Sequence, residues 1–315
     1  MKAIVQRSYG GPEVLALEEM PAPEPIATEV QVRVHAAGVN PVDLKTRAGK
    51  GMAGILEPPM TVGWDLAGTV RAVGVGVTRF RIGDEVLGMP WFPREAGAYA
   101  EYVTAPSRHF VAKPHALTFE EAAALPLAGL TAWQIVVDAL AVQEGDDVLI
   151  HGAAGGVGHL AVQVAKARGA TVFASARAEQ AEWLRELGAD RVIDYRNQRF
   201  EDLLGDLDAV VDLPGGGLGQ RSLEALRPGG TLLQVRGTVE EELRAAGAVR
   251  RQRVTGFLVE PDPVGLNGLV ALIEAGRLRV HVDTVVELER AADAHRSAEE
   301  HHGGGKIVLR VPLEA

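Results

Sequence analysis

The sequence predicts an α/β chain of two units, with a doubly wound parallel sheet in its middle and an all-β, barrel-type unit ahead of it. Three observations carry that expectation. From Asp147 to Gly158 a short apolar run of strand type meets a glycine cluster that opens into the apolar, helix-length run Leu160 to Lys166. Beyond it, strand-like and helix-like segments alternate, which is the signature of parallel strands joined by crossover helices. Before it, short alternating or β-branched segments are divided by Gly and Pro turns such as Gly10-Gly11-Pro12 and Pro21-Ala22-Pro23.

In chain order, the first unit covers residues 1–121. Its strand candidates are Lys2 to Arg7, Val14 to Glu18, Glu29 to Ala37, Leu66 to Val73, Gly97 to Thr104 and His109 to Lys113. Asn40, Pro41 and Asp43 read as an N-cap, a first-turn proline and an acidic residue at a helix start. Thr118 with Glu121 forms a capping-box pattern before Ala122 to Ala124, and this helix marks the crossing into a second unit, residues 122–260.

The turn Ala153, Ala154, Gly155, Gly156, Val157, Gly158 matches the dinucleotide fingerprint with alanine at its first glycine position. Phosphate must lie against unpaired amides at a helix N-terminus, where a Cβ would hold it off. The plainer reading is a strand-to-helix turn whose glycines serve packing. Context favours the nucleotide. Gly169 ends the helix, Thr171 to Ser175 is a second strand, and helix Glu179 to Leu187, strand Arg191 to Asp194 and strands Asp208 to Asp212, Thr231 to Val235 and Val254 to Leu258 follow. The last of these is the expected sheet edge, so a homodimer joined there is predicted. Residues 261–315 hold helix Pro263 to Ala275, strand Val282 to Val286, helix Glu289 to Glu300 and strand Lys306 to Val311, and are expected to rejoin the first unit.

Composition narrows the function. The 315 residues are 47% hydrophobic and carry a net charge of −10, enough apolar matter for a large core and no basic excess for nucleic-acid backbones. No apolar run is long enough to span a membrane, and the start reads as a strand rather than a signal peptide, so the cytoplasm is the expected compartment. With no cysteine, thiolate chemistry and Cys-ligated metal are excluded. His301-His302 beside Gly303 to Gly305 reads as a helix-end loop rather than a metal site.

Asn40 to Asp43, Gly83 to Val86, Gly97 to Tyr102, Leu125 to Ala132, the Ala153 to Gly158 turn, Leu187 to Asp190 and Val192 to Tyr195, in this order, resemble the medium-chain dehydrogenase/reductase superfamily, and within it the zinc-independent quinone oxidoreductase group. The resemblance implies a GroES-like catalytic domain made from both chain ends, an inserted Rossmann domain and NADPH. It implies no metal: zinc members carry Cys where Asn40 stands and Gly-His-Glu where Gly63-Trp64-Asp65 stands. The implied reaction is hydride transfer to a quinone or α,β-unsaturated carbonyl. An enoyl-thioester reductase and a non-enzymatic NADPH-binding protein of crystallin or RNA-binding type stand as alternatives.

Candidate catalytic residues are Asn40, whose amide can donate to an oxygen that gains charge, Asp43, Lys45 and Thr131. Lys45 stands where some relatives have tyrosine; Trp64 or Trp91 can supply a platform for a flat ring instead, although a Trp in a barrel is more often core. Ser175 and Arg177, at the end of the second strand where NAD sites place an acid, predict NADPH over NADH, and Tyr195 resembles the family's tyrosine beside the adenosine phosphate, its other reading being a strand-end aromatic packed in the core. The resemblance brings the backbone at Phe257 and Leu258 near the nicotinamide amide. Pro214 to Gly219 is read as a flexible loop.

Overall fold

A computed structural model of the chain describes residues 1–235, 238–300 and 303–312. The His301-His302 pair therefore lies outside the described residues. Two compact units are present, one made of Met1–Leu130, Glu260–Glu274 and the chain from Val280 on, the other of Thr131–Val259 and Ala275–Arg279.

The first unit opens with β1 (Lys2–Gln6), β2 (Leu15–Glu19), β3 (Glu29–Val39), helix α1 (Pro41–Arg47), β4 (Met60–Thr61), β5 (Asp65–Val73), β6 (Glu85–Gly88), β7 (Tyr102–Pro106) and β8 (Phe110–Ala112). Helices α2 (Phe119–Ala124) and α3 (Pro126–Trp133) follow, and the unit's chain ends within α3. Alternation drives β3, where Val30, Val32 and Val34 are fully buried. Strands β4 and β6 have two and four residues, too short to show a period in sequence.

Two readings need correction here. Gly97 to Thr104 is not one strand. Gly97 takes φ +67, Ala98 and Tyr99 donate to the carbonyls of Gly63 and Val62, and only Ala100 bridges to Ala3, so regular pairing begins at Tyr102. This irregular arm buries Tyr99 completely. The second correction concerns α2, which belongs to the first unit. Thr118 caps it as expected, accepting from the Glu121 N–H at 3.2 Å. Its Ala122 to Ala124 are fully buried, and Gly38 of β3 leaves the room: a Cβ there would stand 2.5 Å from the Ala123 carbonyl oxygen.

The second unit carries β9 (Asp147–His151), α4 (Gly158–Ala167), β10 (Thr171–Ala176), α5 (Ala181–Glu186), β11 (Arg191–Asp194), β12 (Leu207–Asp212), α6 (Leu218–Ala225), β13 (Leu226–Gln234), α7 (Glu241–Val249) and β14 (Arg253–Gly256). All pairings are parallel, in the order β11-β10-β9-β12-β13-β14. Counted from β9 this is 3-2-1-4-5-6, and the order reverses between β9 and β12, the place where such sheets bind ligands. The helix read from Glu179 begins as a 3-10 turn, and α5 itself starts at Ala181. Strand β14 stops at Gly256, so Phe257 and Leu258 lie past its end, although the Phe257 N–H still reaches the Gln234 carbonyl at 3.0 Å.

The chain then forms α8 (Pro263–Glu274), β15 (Val282–Glu287), α9 (Ala291–Glu300) and β16 (Lys306–Arg310). Strand β16 lies between β15 and β3, which completes a seven-stranded sheet along the path β15-β16-β3-β5-β6-β8, with β7 also on β3. No described helix is long and apolar enough to cross a membrane.

Gly38→Ala is expected to lower stability by about 1 to 3 kcal/mol, because the Ala123 backbone on one side and the buried Asp65 side chain on the other must give way. Gly54→Ala, where a Cβ meets nothing within 4 Å, is the control. Equal midpoints in urea for both variants would contradict the close α2–β3 contact.

Candidate functional site

Three neighbouring strand ends in the first unit converge on one buried polar junction. Asn40 directly follows β3, Asp65 opens β5 and Lys306 opens β16. The register pairs Gly38 with Asp65 and Val39 with Ile307, so the three side chains are brought together by the sheet. All are buried, at 1%, 0% and 4% exposure. The Lys306 ammonium donates to the Val39 carbonyl at 3.0 Å and to Asn40 Oδ1, and lies 3.6 Å from Asp65 Oδ2. Asn40 Nδ2 donates to Asp65 Oδ2 at 2.8 Å, and the Leu127 N–H donates to Asp65 Oδ1 at 2.6 Å. Burial pushes the Asp65 carboxyl up and the Lys306 ammonium down, and each partner's charge opposes that drift.

From Asn40 the network runs on through α1. Asp43 Oδ2 accepts the Asn40 backbone N–H at 2.7 Å and the Tyr99 hydroxyl at 3.0 Å. Tyr99 Oη is 3.2 Å from His295 Nε2, and Arg47 Nη1 is 3.1 Å from His295 Nδ1. A guanidinium only donates, so Nδ1 of His295 accepts and its Nε2–H points at Tyr99. Arg47 closes the series on Glu299. Burial holds His295 down at about 3, with the Arg47 charge adding to it. Asp43 is raised to about 7, chiefly by burial, and its Oδ1 has no hydrogen-bond partner.

Asn40 and Asp43 are thus side by side, as the sequence pattern implied, and both serve the helix start as well. Lys45 is exposed on the same helix. Thr131 is buried within α3 rather than at a helix start, because that helix begins at Pro126. Trp64 is no platform for a ring: it is 1% exposed, its Nε1–H donates to the Arg94 carbonyl at 2.7 Å, and it packs edge-on to Phe92. Trp91 turns its Nε1–H to the Thr104 carbonyl at 2.9 Å. Sequence reading missed Lys306, Tyr99, His295 and Arg47. The one local signal was a lysine leading the apolar strand Ile307 to Leu309.

In the second unit the turn after β9 is built for close approach. Gly152 takes φ +69, its carbonyl accepts the Gly155 N–H at 3.0 Å, and the Ala153 N–H reaches Ser175 O at 3.2 Å. A Cβ on Gly158 would collide with the Gly152 carbonyl oxygen and stand 2.6 Å from Ala153 Cα, so this glycine lets helix α4 start against the turn. Ala153 and Ala154 are buried beneath, while Gly155, Gly156 and Val157 keep partial exposure above. Ser175 lies next to the end of β10 and Arg177 just past it, with no ion-pair partner for the guanidinium among the described residues. Tyr195, past β11, is 56% exposed. A Gly-lined turn, a helix start and an unengaged guanidinium fit the diphosphate and 2′-phosphate of NADPH.

Two further groups stand near the sheet's switch point. Asp212, ending β12, accepts the Gly215 N–H at 2.7 Å and the Gln234 amide at 2.9 Å, which ties the start of the Pro214 to Gly219 loop to the strand end. His151, ending β9, is buried against Phe200 with neither ring nitrogen partnered among the described residues, and burial lowers it to about 4.

Known proteins resemble the chain along nearly its whole length. A family described as "Alcohol dehydrogenase GroES-like domain" matches residues 26–115, and one described as "Zinc-binding dehydrogenase" matches residues 187–309. The chain is 35% identical over 319 residues to the chloroplastic NADPH-dependent alkenal/one oxidoreductase of Arabidopsis thaliana, covering 98% of this chain and 79% of that protein. It is 33% identical to the quinone oxidoreductase of Sus scrofa, covering 98% and 97%. The structure of the quinone oxidoreductase from Coxiella burnetii superposes with a TM-score of 0.93 at 37% identity, over 99% of each chain. That of the Escherichia coli quinone oxidoreductase complexed with NADPH superposes at 0.86 and 29% identity, over 98% and 100%.

His151 makes stability pH-dependent. Its folded pKa lies below the unfolded value near 6.5, so its contribution is complete above about 6.5 and is lost as pH falls through about 4. Denaturant unfolding at pH 7 and pH 4.5 is expected to show His151→Leu losing on the order of 2 kcal/mol less than the parent chain over this interval. Equal losses would refute a buried neutral histidine.

Proposed function

Because the chain belongs to the medium-chain dehydrogenase/reductase superfamily, in its quinone oxidoreductase group, we propose that it is an NADPH-dependent, zinc-independent reductase of quinones or α,β-unsaturated carbonyls. The observation that carries this reading is similarity along 98% of the chain to NADPH-dependent alkenal/one and quinone oxidoreductases. NADPH, when bound, supplies the hydride.

The chain's own residues bind and orient. The turn from Ala153 to Gly158 takes the diphosphate, Ser175, Arg177 and Tyr195 take the 2′-phosphate end, and the backbone at Phe257 and Leu258 takes the nicotinamide amide. As an enone gains a hydride at its β-carbon, the double-bond electrons move toward the carbonyl oxygen. The Asn40 amide N–H meets that charge, and a proton then returns to the α-carbon from water. Asp43, raised to about 7, is placed to hold a proton beside Asn40. Thr131 and Lys45 complete the polar contacts proposed for nicotinamide and substrate.

Zinc independence is supported by what stands at the positions where zinc members place ligands. Asn40 and Asp65 face a lysine ammonium, and the Trp64 indole is committed to a backbone carbonyl. Homodimer formation is supported by the edge position of β14 and the 52% exposure of Leu258 beyond it, and sedimentation at micromolar concentration tests it.

A panel of quinones, enones and enoyl thioesters read by NADPH consumption tests the activity. Turnover of a quinone or an enone, unchanged after exhaustive chelation, is expected. No turnover of either class, or activity that follows bound zinc, would overturn the reading. Arg177→Ala should weaken NADPH binding about ten- to a hundredfold, the worth of one charge-assisted bond, and leave NADH nearly unchanged. Calorimetric titration showing equal losses for both cofactors would remove Arg177 from the phosphate site.

A further inference from the structure

The Asn40 carboxamide is held in one orientation by two opposite charges. Its oxygen faces the Lys306 ammonium and one of its N–H groups faces Asp65 Oδ2 at 2.8 Å. Turning the amide over would set its oxygen against a carboxylate and its NH2 against an ammonium, two repulsive contacts in a site of 4% exposure or less. Every other position around it is taken. Asp65 Oδ1 holds the Leu127 N–H at 2.6 Å, and the ammonium also serves the Val39 carbonyl at 3.0 Å. What remains on Asn40 is a single N–H without an acceptor among the described residues.

We propose that Lys306 is a positioning residue for the reduction: with Asp65 it locks the Asn40 carboxamide so that one defined N–H is left to receive the substrate's carbonyl oxygen. This rests on the reading of Asn40 as the oxygen's donor. The ammonium also draws electron density toward Oδ1, which makes the remaining N–H a better donor for an oxygen that becomes negative. The contribution is greatest in the transition state, so it belongs in kcat rather than in substrate affinity.

The test is a double-mutant cycle on kcat for an enone that the parent chain turns over, with NADPH affinity and the melting midpoint measured alongside. Lys306→Met keeps the bulk but leaves Asp65 buried without its counter-charge. The paired variant Lys306→Met/Asp65→Asn, neutral on both sides, therefore stands in where the single one fails to fold. Expected is a kcat about ten- to a hundredfold lower in either variant, with NADPH affinity within about threefold of the parent. Adding Asn40→Ala to the paired variant should lower kcat by less than about threefold further, because Asn40 without its lock already contributes little. Full multiplicative loss, or an unchanged kcat in the paired variant while Asn40→Ala alone lowers it, overturns the role of Lys306 and leaves Asn40 standing. An unchanged kcat in Asn40→Ala alone overturns the donor reading itself, and the Lys306 proposal with it.

Discussion

The first unit depends on one buried ammonium. Lys306 meets Asn40 across 266 positions of sequence, and Asp65 completes the junction, so the C-terminal strand must be in place before the helix start at Asn40 has its final surroundings. Such a pair is weak evidence for stability, since two apolar side chains of like volume often serve as well. Removing one partner, by contrast, costs about 3 to 5 kcal/mol. Its value lies in specificity: only the register that pairs Val39 with Ile307 and Gly38 with Asp65 brings the three groups together.

The second unit reaches precision by leaving atoms out. At the β9–α4 turn the helix begins where a side chain would strike the Gly152 carbonyl, and the partly exposed Gly155 and Gly156 offer backbone rather than side chain. Rigidity comes from beneath, where Val148, Leu149 and Ile150 are fully buried in the sheet. One unit thus fixes the Asn40 amide by surrounding it with charge, and the other shapes its turn by omitting Cβ atoms.

These two devices differ in how far they show in sequence. A cradle is local: strand, Gly-rich turn and helix lie within about twenty residues, and alternation beyond it announces the parallel sheet. The N-cap role of Asn40 and the return of Asp43 to its backbone were legible for the same reason. Lys306, Tyr99, His295 and Arg47 were not, because their partners are 56 to 266 positions away and no spacing rule links them. The assignment of α2 to its unit failed on a related point. A capping box looks the same whichever core its helix joins, and the packing of α2 on β3, β5 and β16, far away in sequence, decides the matter. Trp64 was open to a site role because an indole in a barrel has no sequence mark of burial.

Charge balance ties the junction to the chemistry. Lys306 is matched by Asp65, and Arg47 by Glu299, while His295 is held neutral by burial. The remaining group, Asp43, is raised to about 7, so near neutral pH the cluster varies between no net charge and one negative charge. In a dry interior an unmatched negative charge close to Asn40 opposes charge growing on an oxygen at the amide. A protonated Asp43 removes that opposition. A divalent cation at Asn40 and Asp65 would instead have to displace the ammonium already seated there. On the proposed role of Asn40, the first unit would offer a neutral, locked amide to an oxygen that becomes negative, with the balancing cation built into the chain.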